Sequence, residues 1–157
     1  CNDVEITLDQ LARWTDDRAK SGYRIICIDS VSLAGQTARP WEAEKVFLNS
    51  IKNTAKNTGC SIVLVTHPKQ TVTNPDMNQL AGSAAYSRLA HTIVWLQAHE
   101  PKQSDIETGM GTLPDTHNRT LHILKSRNGK GQWLNIACNF DSQSLTLQEL
   151  GIIVKKK

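Results

Sequence analysis

Arg24-Ile25-Ile26-Cys27-Ile28-Asp29 and Ser61-Ile62-Val63-Leu64-Val65-Thr66-His67 decide the fold. Each is a short apolar run that ends in a polar group, the pattern of a strand buried on both faces of a sheet. Between them, Trp41 to about Asn57 carries Leu48, Ile51 and Ala55 on one helical face, and Gly59 is positioned to cap its end. Strand, helix and strand in that order require a right-handed parallel crossover. The expected class is α/β, a mainly parallel sheet flanked by helices.

Outward from this core, Thr7 and Gln10 have capping-box spacing, and Leu8, Leu11, Ala12 and Ala19 give an apolar stripe until Ser21-Gly22. This predicts a helix over residues 8 to 20. Downstream, a polar loop from Lys69 to Leu80 leads to a short helix around residues 82 to 90 and a strand at Thr92–Leu96. Residues 98 to 118 carry Pro, Gly, Asp, Ser and Asn without apolar period, which predicts a long, exposed, mobile loop. Beyond it, Thr120–Ser126, Trp133–Phe140 and Ser144–Glu149 read as three strands joined by Asn128-Gly129-Lys130-Gly131 and Asp141-Ser142-Gln143. The C-terminal end of the sheet is therefore expected to be antiparallel.

A chain of 157 residues has room for one ordinary domain. At 39% hydrophobic and 21% charged residues it is too apolar for disorder, and no stretch approaches the ~20 apolar residues of a membrane helix. Aromatics are only 5%, so the core is expected to be built mainly from Ile, Leu, Val and Ala; the Met, Trp and Tyr residues, Trp14, Trp95 and Trp133 among them, are read as packing. The net charge of +3 does not by itself imply a nucleic-acid partner. Cys1, Cys27, Cys60 and Cys138 lack zinc-site spacing and are too few to staple the fold, which points to a reducing, cytoplasmic setting. The start at Cys1 suggests that an upstream portion is absent.

Three groups of residues have the chemistry of a nucleotide site. Asp29, at the end of an apolar strand, has the form of a Walker B carboxylate that holds magnesium through water, although an aspartate that only caps a turn gives the same pattern. Parallel order puts Thr66 and His67 on the same sheet edge, where a polar group can sense a terminal phosphate or simply bond a loop. Strand period puts Lys125 and Arg127 on one face ahead of a Gly-flanked turn, and no acidic residue lies between Asp115 and Asp141. A guanidinium fork with a helper amine suits polyphosphate, as in an arginine finger; a solvated hairpin tip is the plainer alternative. The same cations, with Lys69 and the amide-rich loop up to Gln79, could instead grip a nucleic-acid backbone.

Taken together, Ile25-Ile26-Cys27-Ile28-Asp29-Ser30-Val31, Val63-Leu64-Val65-Thr66-His67, Gly82-Ser83-Ala84-Ala85 and Lys125-Ser126-Arg127-Asn128-Gly129 resemble successive motifs of RecA-like ATPases. The resemblance is to the superfamily-four replicative ring helicases of the phage primase-helicase and Twinkle type, over roughly residues 4 to 149. It implies a RecA-like ATPase domain from Walker B onward, belonging to a hexameric, ATP-driven helicase that moves on single-stranded DNA. It further implies magnesium on Asp29, with Ser30 and Thr66 beside the nucleotide and His67 sensing the γ-phosphate. Lys125 and Arg127 would reach the ATP of a neighbouring subunit, and Lys69, Gln70, Asn74 and Asn78 would lie on the DNA-contacting loop. The chain departs from the family in two ways. It contains no G-x-x-x-x-G-K-[ST] phosphate cradle, and Ser30 stands where a catalytic glutamate could follow Asp29. By itself it should therefore not hydrolyse ATP. A KaiC-like or recombinational ATPase and a non-enzymatic α/β binding module remain open alternatives.

Overall fold

The computed structural model describes residues 6–31, 40–67, 74–80 and 85–154. The chain divides into two compact units, residues 1–73 with 78–90, and residues 74–77 with 91–157.

In the first unit, helix α1 (Leu8–Lys20) begins where the sequence predicts. The Thr7 hydroxyl accepts the Gln10 N–H at 3.2 Å and the Gln10 side chain accepts the Thr7 N–H at 2.9 Å. This satisfies two otherwise orphaned donors of the first turn. Strand β1 (Ile25–Ile28), helix α2 (Pro40–Thr58) and strand β2 (Ser61–Leu64) come next. β1 and β2 are parallel, with Ile25 opposite Ser61 and Ile28 opposite Leu64. The ladder runs on past both strands, since Val65 N–H donates to the Ile28 carbonyl at 2.9 Å and Val31 N–H to the Val65 carbonyl at 3.1 Å.

Ile26 and Ile28 join Ala12, Ala19, Phe47, Leu48 and Ile51 in one core. Phe47, 2% exposed, is among its largest members; burying such a side chain stabilises by roughly 1.5–3 kcal/mol. The helices are also tied through a polar contact: the Thr54 hydroxyl donates to Asp16 at 2.9 Å. The Lys20 ammonium beside Asp16, and then Thr54, hold that carboxyl below its ordinary range. Ile25 and Cys27, by contrast, are exposed, so β1 is covered on one face and not on the two that its unbroken apolar run predicts. A short helix, α3 (Ala85–Leu89), adds buried Ala85 and Tyr86.

The second unit corrects the expected architecture. Strands β3 (Thr92–Thr108), β4 (Gly111–Ser126), β5 (Asn135–Asp141) and β6 (Thr146–Ile153) pair in sequence order, and β6 also pairs with β3, which closes the set. Every one of these pairings is antiparallel. The main sheet is thus a four-stranded antiparallel one, and the parallel sheet among the described residues has only two strands. The described residues do not form a RecA-like, mainly parallel sheet.

The expected mobile loop at 98–118 is the outer arm of the β3–β4 hairpin, turned at Gly109-Met110. Its residues are held by backbone pairing more than by burial, and only Ile106 and His117 of them are buried. Pro101 falls in the irregularity between Ala98 and Lys102, and Pro114 lies on the stretch of β4 that precedes its pairing with β5. Bulges and unpaired edges are where a sheet tolerates a residue without an N–H. Gly151, at φ +142, sits where β6 meets β3; a Cβ there would lie 2.4 Å from the Glu107 carbonyl oxygen.

Candidate functional site

The parallel register of β1 and β2 puts Asp29 one residue, and Thr66 and His67 two and three residues, past paired strand ends. All three therefore lie beyond the C-terminal edge of the pair, where α/β sheets commonly bind ligands. Asp29 and His67 are exposed, while Ser30 and Thr66 are half-buried. The peptide joining Asp29 to Ser30 is cis. Among the described residues no group of three or more His, Cys, Asp or Glu side chains gathers as a metal site. One exposed carboxylate nonetheless fits magnesium in its usual protein form, an ion that keeps several waters and takes one or two carboxylates plus phosphate oxygens.

Lys125 and Arg127 belong to the second unit, at the end of β4. Lys125 is opposite Ile93, whereas Val94 is opposite Ile123, so β4 carries one extra residue at Leu124. Such a bulge bends a strand and re-aims the residues after it. Arg127 N–H donates to the His91 carbonyl at 2.9 Å, which extends the ladder to the exposed arginine. The cations are thus carried on paired backbone and not on a loose loop. Of the residues expected to contact DNA, Lys69 and Gln70 lie outside the described residues. Asn74 is exposed in a bend, and Asn78 lies in a short 3-10 turn, Met77–Gln79.

Sequence reasoning missed two features of the second unit. Trp133, read as packing, is 60% exposed and has φ +72. The three cations Lys125, Arg127 and Lys130 that precede it in sequence are the signal that could have marked it. The other is a set of histidines inside the antiparallel unit. One ring nitrogen of His99 is 2.8 Å from the Glu100 carbonyl and the other 2.9 Å from the Thr120 hydroxyl. A ring that donates to the carbonyl is left to accept the Thr120 O–H. His117 meets His99 edge-on, ring centres 5.0 Å apart, is fully buried, and has no hydrogen-bond partner on either ring nitrogen among the described residues. Burial, then the neighbouring His99 and Lys102, lowers its pKa, with the Lys102 backbone and Asp115 pulling weakly the other way.

No helix of the described residues is long and apolar enough to cross a membrane. No protein-family model matches the chain, and no curated protein matches it.

Proposed function

We propose that this chain is part of an ATP-hydrolysing motor that acts on single-stranded DNA, as a homo-oligomer of the ring-helicase kind working in the cytoplasm. The first unit contributes Asp29 to a hydrated magnesium ion, with Ser30, Thr66 and His67 facing the nucleotide's phosphates from the same strand edge. The second unit contributes Lys125 and Arg127 as cations for the charge that develops on the γ-phosphoryl group, acting on ATP held by a neighbouring subunit. Residues of the Lys69–Gln79 stretch, Asn74 and Asn78 with Lys69 and Gln70, contact the DNA.

The observation that carries this reading is the parallel β1–β2 register, which brings the carboxylate of Asp29 and the polar residues Thr66 and His67 to one edge from two separate stretches of sequence. The chain has no G-x-x-x-x-G-K-[ST], so the phosphate cradle comes from another part of the assembly. The 157-residue chain alone therefore binds ATP weakly and hydrolyses none. The test is ATP hydrolysis by the intact protein that contains this chain, with and without single-stranded DNA. DNA-stimulated turnover that Asp29→Ala abolishes supports the motor. Absence of turnover in the intact protein, or turnover indifferent to Asp29→Ala, returns the chain to a binding module without nucleotide chemistry.

A further inference from the structure

Trp133 combines three properties that packing does not explain. It is 60% exposed, so its ring contributes little to any core. Its backbone is in the left-handed region at φ +72, which for a bulky residue stores strain of roughly 1–3 kcal/mol. Yet it is firmly held: Trp133 N–H donates to the Ile123 carbonyl at 2.7 Å, Ile123 N–H to the Leu134 carbonyl at 2.9 Å, and Leu134 N–H to the Gly131 carbonyl at 3.2 Å. Glycine would take this backbone without strain. An exposed indole on a hydrogen-bonded backbone stands there instead.

Its surroundings give it a chemical use. The bond to Ile123 fixes Trp133 against β4 two residues before Lys125 and four before Arg127, and Lys130 lies in the turn between. The whole stretch from residue 116 to 140 contains no carboxylate. An exposed aromatic ring that follows three cations in sequence suits a ligand with one flat ring and one phosphate. Every nucleobase has such a face and stacks on aromatic rings with little regard to sequence, while lysine and arginine hold the backbone or terminal phosphates.

We propose that Trp133 is a stacking platform for the base of a nucleoside phosphate, with Lys130 pairing to its phosphate. The base arrives either on a single-stranded DNA or on a free nucleotide, and the chemistry of recognition is the same for both. The site stands on Trp133 and Lys130, neither of which the motor reading uses, so it survives if the protein binds nucleoside phosphates without hydrolysing them.

The test is direct binding by the chain of a fluorescein-labelled oligothymidylate, read by anisotropy, and of ATP, read by calorimetry. Base-aromatic stacking is lost as roughly a 5- to 150-fold weaker affinity on Trp133→Ala, and Trp133→Phe keeps most of it. Lys130→Ala weakens binding and lowers its dependence on salt. Loss confined to the oligonucleotide identifies a strand as the source of the base, loss confined to ATP identifies the nucleotide, and loss of both gives a shared site. Trp133→Gly separates ligand binding from folding, because it relieves the strain. It should leave the melting temperature unchanged or raised while binding is lost. Unchanged affinity for both probes in Trp133→Gly overturns the proposal, whatever Trp133→Ala does to folding.

Discussion

The two units are built on opposite principles. In the first, short strands owe their place to side-chain burial: Ile26 and Ile28 reach a core made by α1 and α2, and β1 and β2 are only four residues each. In the second, long strands owe their place to the backbone. β3 and β4 pair over most of their length although many residues of their outer arm are exposed. Stability in one unit should therefore respond to lost apolar volume, and in the other to backbone conformation and turn chemistry.

The largest expected effect is at Phe47, 2% exposed in the first unit. Phe47→Ala should cost about 3–5 kcal/mol through lost transfer energy and the cavity left behind, measured by urea unfolding. An exposed apolar residue of the second unit, Leu113 at 59%, should change by less than about 0.5 kcal/mol on the same substitution. Equal costs at the two positions would break the comparison.

The same contrast explains what was legible. Burial writes a period into sequence, so α1, β1, α2 and β2 could be read from Thr7 and Gln10, from the Ile run and from Leu48 and Ile51. Backbone pairing writes almost nothing. His99 to Asn118 is polar and punctuated by two prolines, and nothing in it signals that Lys102 to Thr108 pairs residue for residue with Gly111 to His117. The uncovered face of β1 is hidden for a related reason, because an apolar run shows what a strand can bury and not whether a partner layer is there. Within the candidate site, the edge shared by Asp29, Thr66 and His67 was legible from topology. The bulge at Leu124 and the exposed, left-handed Trp133 were not, because both are local backbone choices that residue type does not impose.

In the second unit the most sensitive point should be a glycine. Gly151→Ala sets a Cβ against the Glu107 carbonyl at a backbone angle that disfavours side chains. A loss of about 1–3 kcal/mol in thermal or urea unfolding is expected. A smaller effect, about 1 kcal/mol, is expected in the first unit for Thr7→Ala, which removes the N-cap of α1; Thr7→Asn should recover most of it.

The smallest effect sharpens the comparison through pH. Burial disfavours the charged form of His117 in the fold. Its folded pKa is lowered, so the unfolded chain takes up the proton first, near the ordinary value of 6.5. The stability it contributes is present above that pH and is lost as pH falls through the folded pKa. His117→Gln should flatten this acid limb in denaturation midpoints taken across mildly acidic pH. An unchanged limb would mean that His117 does not set the acid dependence.

The proposed motor divides its chemistry between the units, Asp29 on one and Arg127 on the other, with Arg127 serving a neighbouring subunit. Steady-state ATP hydrolysis by the intact protein tests this with Asp29→Ala, Arg127→Ala and an assembled mixture of the two. Arg127→Ala alone should lose roughly 10³-fold or more in turnover while still binding nucleotide. The mixture should exceed both parents, because an intact carboxylate of one subunit then meets an intact arginine of the next. Wild-type turnover in Arg127→Ala, or a mixture no better than its parents, would contradict the account.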